Sequence, residues 1–186
     1  MPHIRLAEGV PGIRSAFQFS PHTARPMLEL AELLLRGDGT LSPAEREMLA
    51  ARVSRRNGCR FCELSHRAAA AHHLGGDYSP VDAVIDDPST APVSPKLQAL
   101  IAIADCVAAG GTQVTSVEIE AARQAGASDR EIHDAVLIAA AFSMFNRYVD
   151  GLATYTPADP AEYDEMGKRM AHLGYAARVP SSAVEA

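Results

Sequence analysis

The chain is 186 residues long, enough for one domain with a real core, and its Asp and Glu residues are interspersed among Lys and Arg to a net charge of −6. No basic stripe is available to neutralise a phosphate backbone, which argues against nucleic acid as a partner. No apolar run reaches the roughly eighteen residues that a membrane span needs, and "MPHIRLAEGVPG" lacks the apolar core of a signal peptide, so the expectation is a cytoplasmic protein with no membrane partner. Three cysteines, two of them close together, do not make a secreted disulfide framework; in a reducing compartment a close pair points to catalysis or to metal.

Apolar residues recur at three and four rather than at two, aromatics are scarce and Trp is absent, a pattern that predicts an all-α fold. Residues 1–24, with Pro2, Pro11 and Pro21 beside Gly9 and Gly12, read as an irregular N-terminal arm. A first helix is predicted over 26–35, closed by "RGDG". The next begins at "LSPAERE", where Ser42 suits the N-cap, Pro43 the first helical position and Glu45 the reciprocal half of a capping box; it runs to about residue 56. Asn57 and Gly58 supply a left-handed helix stop, which puts Cys59 at the start of a third helix ending near residue 74. Helices follow over about 80–85 and 95–108, then in "TSVEIEAARQAG" with Thr115 or Ser116 as cap. Another follows in "SDREIHDAVLIAAAFSMFNRYVDGL", with Ser128 as cap and Glu131 three residues on. Residues 135–145 are apolar on all sides and predict a buried central helix. "DPAEYDEMGKRMAHLGY" forms a last amphipathic helix, the helical body extends over 25–175, and 176–186 reads as a flexible tail.

The segment "NGCRFCELSHR" carries the chemistry. On a helix Cys59, Cys62 and His66 fall within an arc of about 60°, in one stripe that His73 continues. The unpaired N–H groups and dipole of a helix N-terminus stabilise a thiolate, a second thiol one turn away can close a disulfide, and an imidazole supplies a proton acceptor. On the preceding helix Glu47 shares a face with Ala50, Ala51 and Ser54, small residues that admit another helix. A carboxylate there would be partly buried and able to hold or pass a proton, but spacing does not say that it meets His66. Nor does spacing say which cysteine attacks. Asn146 and Arg147 interrupt the most apolar helix and call for buried partners or the edge of a site.

The spacing Glu47, eleven residues, Cys59-x-x-Cys62, three residues, His66 resembles the signature of the AhpD-like alkylhydroperoxidase branch of the carboxymuconolactone decarboxylase superfamily. "FNRYVDGLA", residues 145–153, resembles a segment of that branch's peroxidase-related members. The resemblance implies an AhpD-like helical bundle that assembles as a homo-oligomer, trimer or hexamer. It also implies a thiol peroxidase without a metal or organic cofactor, reducing a small-molecule hydroperoxide and restored by a dithiol or a thioredoxin- or lipoyl-type protein. By position it makes Cys62 the attacking thiol, Cys59 the resolving one and the more exposed to the reductant, and Glu47 with His66 a proton relay. Phe61, His73 and Asn146 are the expected pocket-lining residues. One departure stands out: the best-studied members carry a histidine just before the second cysteine, where this chain has Phe61, which tilts the expectation toward disulfide exchange.

Other readings compete. Free cysteines are often small buried hydrophobes, and Cys106 in its apolar helix is read that way. A zinc site could draw on Cys59, Cys62, His66 and either Glu47 or His73, although structural zinc usually gathers two separated ligand pairs. A lactone decarboxylase would share the fold without using the cysteine pair, and a disulfide reductase or a redox-responsive regulator would use the pair without peroxide turnover.

Overall fold

The structure, a computed structural model described over residues 1–175, is helical in all its regular elements, with no strand among the described residues. Nine α-helices are described: α1 Ile13–Phe19, α2 Pro21–Arg36, α3 Pro43–Arg56, α4 Arg60–His73, α5 Ser79–Asp86, α6 Pro95–Ala109, α7 Ser116–Gln124, α8 Asp129–Gly151 and α9 Pro160–Leu173. The predicted tail, 176–186, lies outside the described residues.

Local chemistry sets the main boundaries. Ser42, Thr115 and Ser128 each close a reciprocal capping box, with Glu45, Glu118 and Glu131, at the starts of α3, α7 and α8. Helix α3 ends in a Schellman turn: the Cys59 N–H bonds Ser54 O at 3.0 Å, the Gly58 N–H bonds Arg55 O at 3.1 Å, and Gly58 takes the required positive φ of 76°. The backbone of Cys59 is thereby tied to α3 while its carbonyl accepts the first bond of α4, from Glu63 N.

Two expectations are corrected. Helical structure begins at Ile13, not after residue 24, because Pro21 occupies the first turn of α2, where its missing N–H costs nothing, and Pro26 is absorbed inside that helix. The arm proper is residues 1–12, held against the end of α8 by bonds from His3 N to Leu152 O and from Gly12 N to Tyr155 O. Helix α8 is not buried all round either: Ile138, Phe142 and Phe145 face the core, whereas Leu137 and Met144 stand exposed with Ala140 between them.

The main core gathers Leu35, Leu49, Val53, Leu100, Ile101, Ile103 and Ile138, each fully buried and each contributing about 1.5–3 kcal/mol of transfer free energy. A smaller cluster joins Cys59, Phe61 and Cys62 to Val149, Tyr163 and Met166. Helix α9 crosses α4 where Gly167 sits directly on Ala68 and Ala69; a Cβ at 167 would collide with that backbone, so this close approach requires glycine.

Candidate active site

Helices α3 and α4 run side by side through the stripe of small residues, and this brings Glu47 to His66: Nδ1 lies 2.6 Å from Oε2. The meeting that spacing left open is therefore made. Glu47 is completely buried and its other oxygen is also engaged, accepting from Arg36 Nη2 at 2.6 Å and from the Tyr175 hydroxyl at 2.8 Å. Burial would push the Glu47 pKa up, but His66 and Arg36 outweigh it and hold the pKa below the ordinary 4.5, so the group is a carboxylate at neutral pH. For Arg36, burial works downward and Glu47 and Tyr175 more than offset it, so its pKa is raised. An ionised carboxylate only accepts, so His66 donates through Nδ1–H. The ring is braced by Phe142 edge-on at 4.6 Å and by Tyr175 stacked at 6.2 Å.

His66 and Cys62 line the same cavity, of about 510 Å³, walled by α1, α2, α4, α8 and α9. Cys62 is the third residue of α4 and 5% exposed; the unpaired N–H groups of that first turn favour an anion. Cys59, the N-cap residue, is fully buried behind it among Val149, Tyr163 and Met166, and both thiols are free. A hydrogen bond to Cys62, together with burial, pushes the Cys59 thiol far up. The resemblance implied that the first cysteine is the more exposed; here it is the less exposed, because the Schellman turn folds it inward onto the α8 and α9 side chains.

The expected pocket-lining residues divide. Phe61 lines the cavity, its ring seated on Gly12 and tilted against Tyr163 at 6.1 Å. His73 and Asn146 do not line it. Asn146 is fully buried behind the site, accepting from Asn57 Nδ2 at 2.9 Å and donating to Ser54 Oγ at 3.0 Å, so it fastens α8 to the α3–α4 turn. His73, at the far end of α4, is half-buried with Nε2 shielded and without a bond among the described residues; burial and nearby Arg36 lower its pKa. Arg36 and Tyr175 were not foreseen. Arg36 reads in sequence as the ordinary basic residue of a helix's last turn, and Tyr175 stands far along the chain from Glu47 with no motif around it.

The donor set does not suit zinc. Both Glu47 oxygens are engaged by cationic or N–H and O–H partners, and among the described residues no three His, Cys, Asp or Glu side chains gather as a metal site would require.

Fold and sequence place the chain in a class. It belongs to the Carboxymuconolactone decarboxylase family, whose model matches residues 21–88 and 82–155. Among solved structures it is similar to an uncharacterized peroxidase-related protein from Ralstonia eutropha JMP134, described as an alkylhydroperoxidase AhpD core. The identity is 25%, the match covers 86% of this chain and 82% of that one, and the TM-score is 0.74. It is also similar to an uncharacterized peroxidase-related protein from Silicibacter sp. TM1040, at 27% identity over 83% and 79% of the two chains, with a TM-score of 0.73. A protein of unknown function from Agrobacterium tumefaciens, 20% identical over 77% and 97% with a TM-score of 0.66, shares the fold. No curated protein matches the sequence.

Proposed function

We propose that the protein is a thiol-dependent hydroperoxide reductase in which Cys62 attacks and Cys59 resolves. The observation that carries this reading is that Cys62 and a carboxylate-backed His66 open on one cavity while Cys59 lies buried directly behind. His66 Nε2 takes the Cys62 proton, and Glu47 stabilises the imidazolium that results. The Cys62 thiolate attacks the terminal peroxide oxygen; the O–O bond breaks, the alkoxide leaves and collects the proton from His66, and Cys62 becomes a sulfenic acid. The Cys59 sulfur then attacks the Cys62 sulfur, the S–S bond forms, and hydroxide leaves with a proton as water. A dithiol or a thioredoxin- or lipoyl-type protein supplies two electrons by thiol–disulfide exchange and restores both thiols.

Phe61 removes a second imidazole from the pocket and makes its wall apolar, which suits an alkyl hydroperoxide. The exposed apolar row Leu137, Ala140 and Met144 on α8 supports assembly as a homo-oligomer, and no described helix is long and apolar enough to cross a membrane. The test is hydroperoxide consumption with excess dithiol, run on wild type and Cys62→Ser. Turnover in the wild type that vanishes in the variant is expected. A wild type that turns over no peroxide, while its Cys59–Cys62 disulfide still forms and reduces, would instead make the protein a disulfide reductase or redox-responsive regulator.

A further inference from the structure

The cavity beside Cys62 is far larger than hydrogen peroxide needs. Its volume of about 510 Å³ compares with roughly 30 Å³ for a water molecule in the liquid, and it lies within the roughly 300–1,000 Å³ of sites that enclose organic ligands. Its inner wall is hydrocarbon, sulfur and aromatic ring: Met27, Leu28, Phe61, Phe142, Phe145 and Met166. Two guanidiniums interrupt that wall, Arg14 from α1 and Arg169 from α9. In a chain with 23 acidic against 17 basic side chains, neither Arg14 nor Arg169 makes a hydrogen bond or ion pair with a described residue. Burial, and with it the nearby charge of Arg169, lowers the Arg14 pKa.

Exposure gives the cavity a direction. Arg169 and Leu173 are exposed and so lie at the mouth, Arg14 is half-buried, and Cys62 and His66 are buried within. We propose that this cavity binds an amphiphilic hydroperoxide of the long-chain fatty-acid class, its carboxylate held by Arg14 and Arg169 at the mouth and its chain laid along the apolar wall. In such a molecule the hydroperoxide sits part-way along the chain, which suits a thiol deeper than the charged mouth. A planar carboxylate is the group that paired guanidiniums hold best. The proposal rests on the peroxidase reading for the chemistry, but not for the binding.

The experiment separates the two. With excess dithiol, kcat/KM is measured for a long-chain fatty-acid hydroperoxide and for its methyl ester, on wild type and on Arg14→Gln/Arg169→Gln. The acid is expected to be favoured over the ester by about tenfold in the wild type, the effect of one good charge-assisted bond, with the ratio falling to near one in the double variant. Equal use of acid and ester by the wild type, or a preference that survives the double substitution, overturns the carboxylate site. A second readout needs no turnover: oleate displaces a fluorescent fatty-acid analogue from the Cys62→Ser protein, and its affinity falls about tenfold when the two arginines are also replaced. Arginine-dependent oleate binding without turnover of any hydroperoxide supports the site and overturns the peroxidase reading. Brisk turnover of tert-butyl hydroperoxide without oleate binding overturns the site alone.

Discussion

Helices α3 and α8 start with the same device and put their buried faces to different uses. Each opens on a serine whose hydroxyl and whose third-following glutamate close a capping box, Ser42 with Glu45 and Ser128 with Glu131, and each lies in one of the two segments that match the family. Along α8 the buried face is Ile138, Phe142 and Phe145, ending in the Asn146 amide that ties the helix to the α3–α4 turn. Along α3 the buried face carries an ion pair, with Glu47 fully enclosed. A buried charge pair is a poor way to gain stability compared with hydrocarbon of the same volume; the pair on α8, Glu131 with Lys96, leaves its lysine 30% exposed, whereas the pair on α3 encloses Glu47 completely, and such an enclosed carboxylate beside a cavity is where function is to be sought.

The largest effect expected from this contrast is on Glu47. On the proposed mechanism Glu47→Gln removes the charge that holds the His66 ring and steadies its imidazolium, and kcat for hydroperoxide is expected to fall roughly a hundredfold or more. Stability falls as well, by about 3 kcal/mol, because Arg36 loses its buried counter-charge. The Glu47 pKa is depressed in the folded state, so its contribution is full above 4.5 and disappears as pH falls through the folded value. The stability gap between wild type and variant, read from urea unfolding, therefore closes below pH 4.5. A variant with undiminished kcat would reduce Glu47 to a structural group and erase the difference between the helices.

Glu131 provides the matched control on α8. It too is buried, and although burial alone would raise its pKa, Lys96, the Ser128 cap and Thr40 hold it down to about 2. Its partners are the helix start and a neighbouring lysine, not a cavity. Glu131→Gln is expected to cost about 1–2 kcal/mol, the value of a cap, and to leave kcat within a factor of about two. The loss is full above pH 4.5 and fades as pH drops toward 2, since the folded-state pKa lies below the unfolded one. A large fall in kcat here would mean that α8 positions the site through its N-terminus as well as through Phe142.

These two glutamates also show what sequence alone can and cannot say. Glu131 is readable from local pattern, because a capping box is complete within four residues, and the same holds for Ser42 and for the Asn57-Gly58 stop that sets Cys59 at the head of α4. The stripe of Cys59, Cys62 and His66 is equally local. Glu47 is half-readable: its small-residue face predicts a close helix, but only the family resemblance aimed it at His66. Arg36 and Tyr175 are not readable, because their role exists only once the end of α2 and the residues that follow α9 have reached the Glu47 carboxylate. The error at the arm has a similar source. Three prolines look like irregular chain until Pro21 is seen to occupy a helix's first turn, where proline is at home. His73 shares the helical stripe but not the cavity, because helical periodicity locates a stripe without saying where the cavity under it stops.

The smallest expected loss of stability concerns Tyr175, which enters the same carboxylate from outside the motif. Its hydroxyl donates to Glu47 Oε1 at 2.8 Å and lies 3.3 Å from His66 Nδ1, and the Arg36 guanidinium sits 5.3 Å above its ring. Tyr175→Phe keeps the ring and that cation contact but withdraws one donor from a buried carboxylate, which then holds its proton more readily; a single neutral bond of this kind is worth about 1 kcal/mol. The expected result is a three- to tenfold fall in kcat, with the acid limb of its pH profile moved upward, because protonated Glu47 no longer accepts from His66. A purely structural role would lower the melting temperature and leave the profile where it was. Movement of the limb in Tyr175→Phe, set beside its absence in Glu131→Gln, would show that the electrostatics of the α3 carboxylate, rather than packing along either helix, govern the reaction.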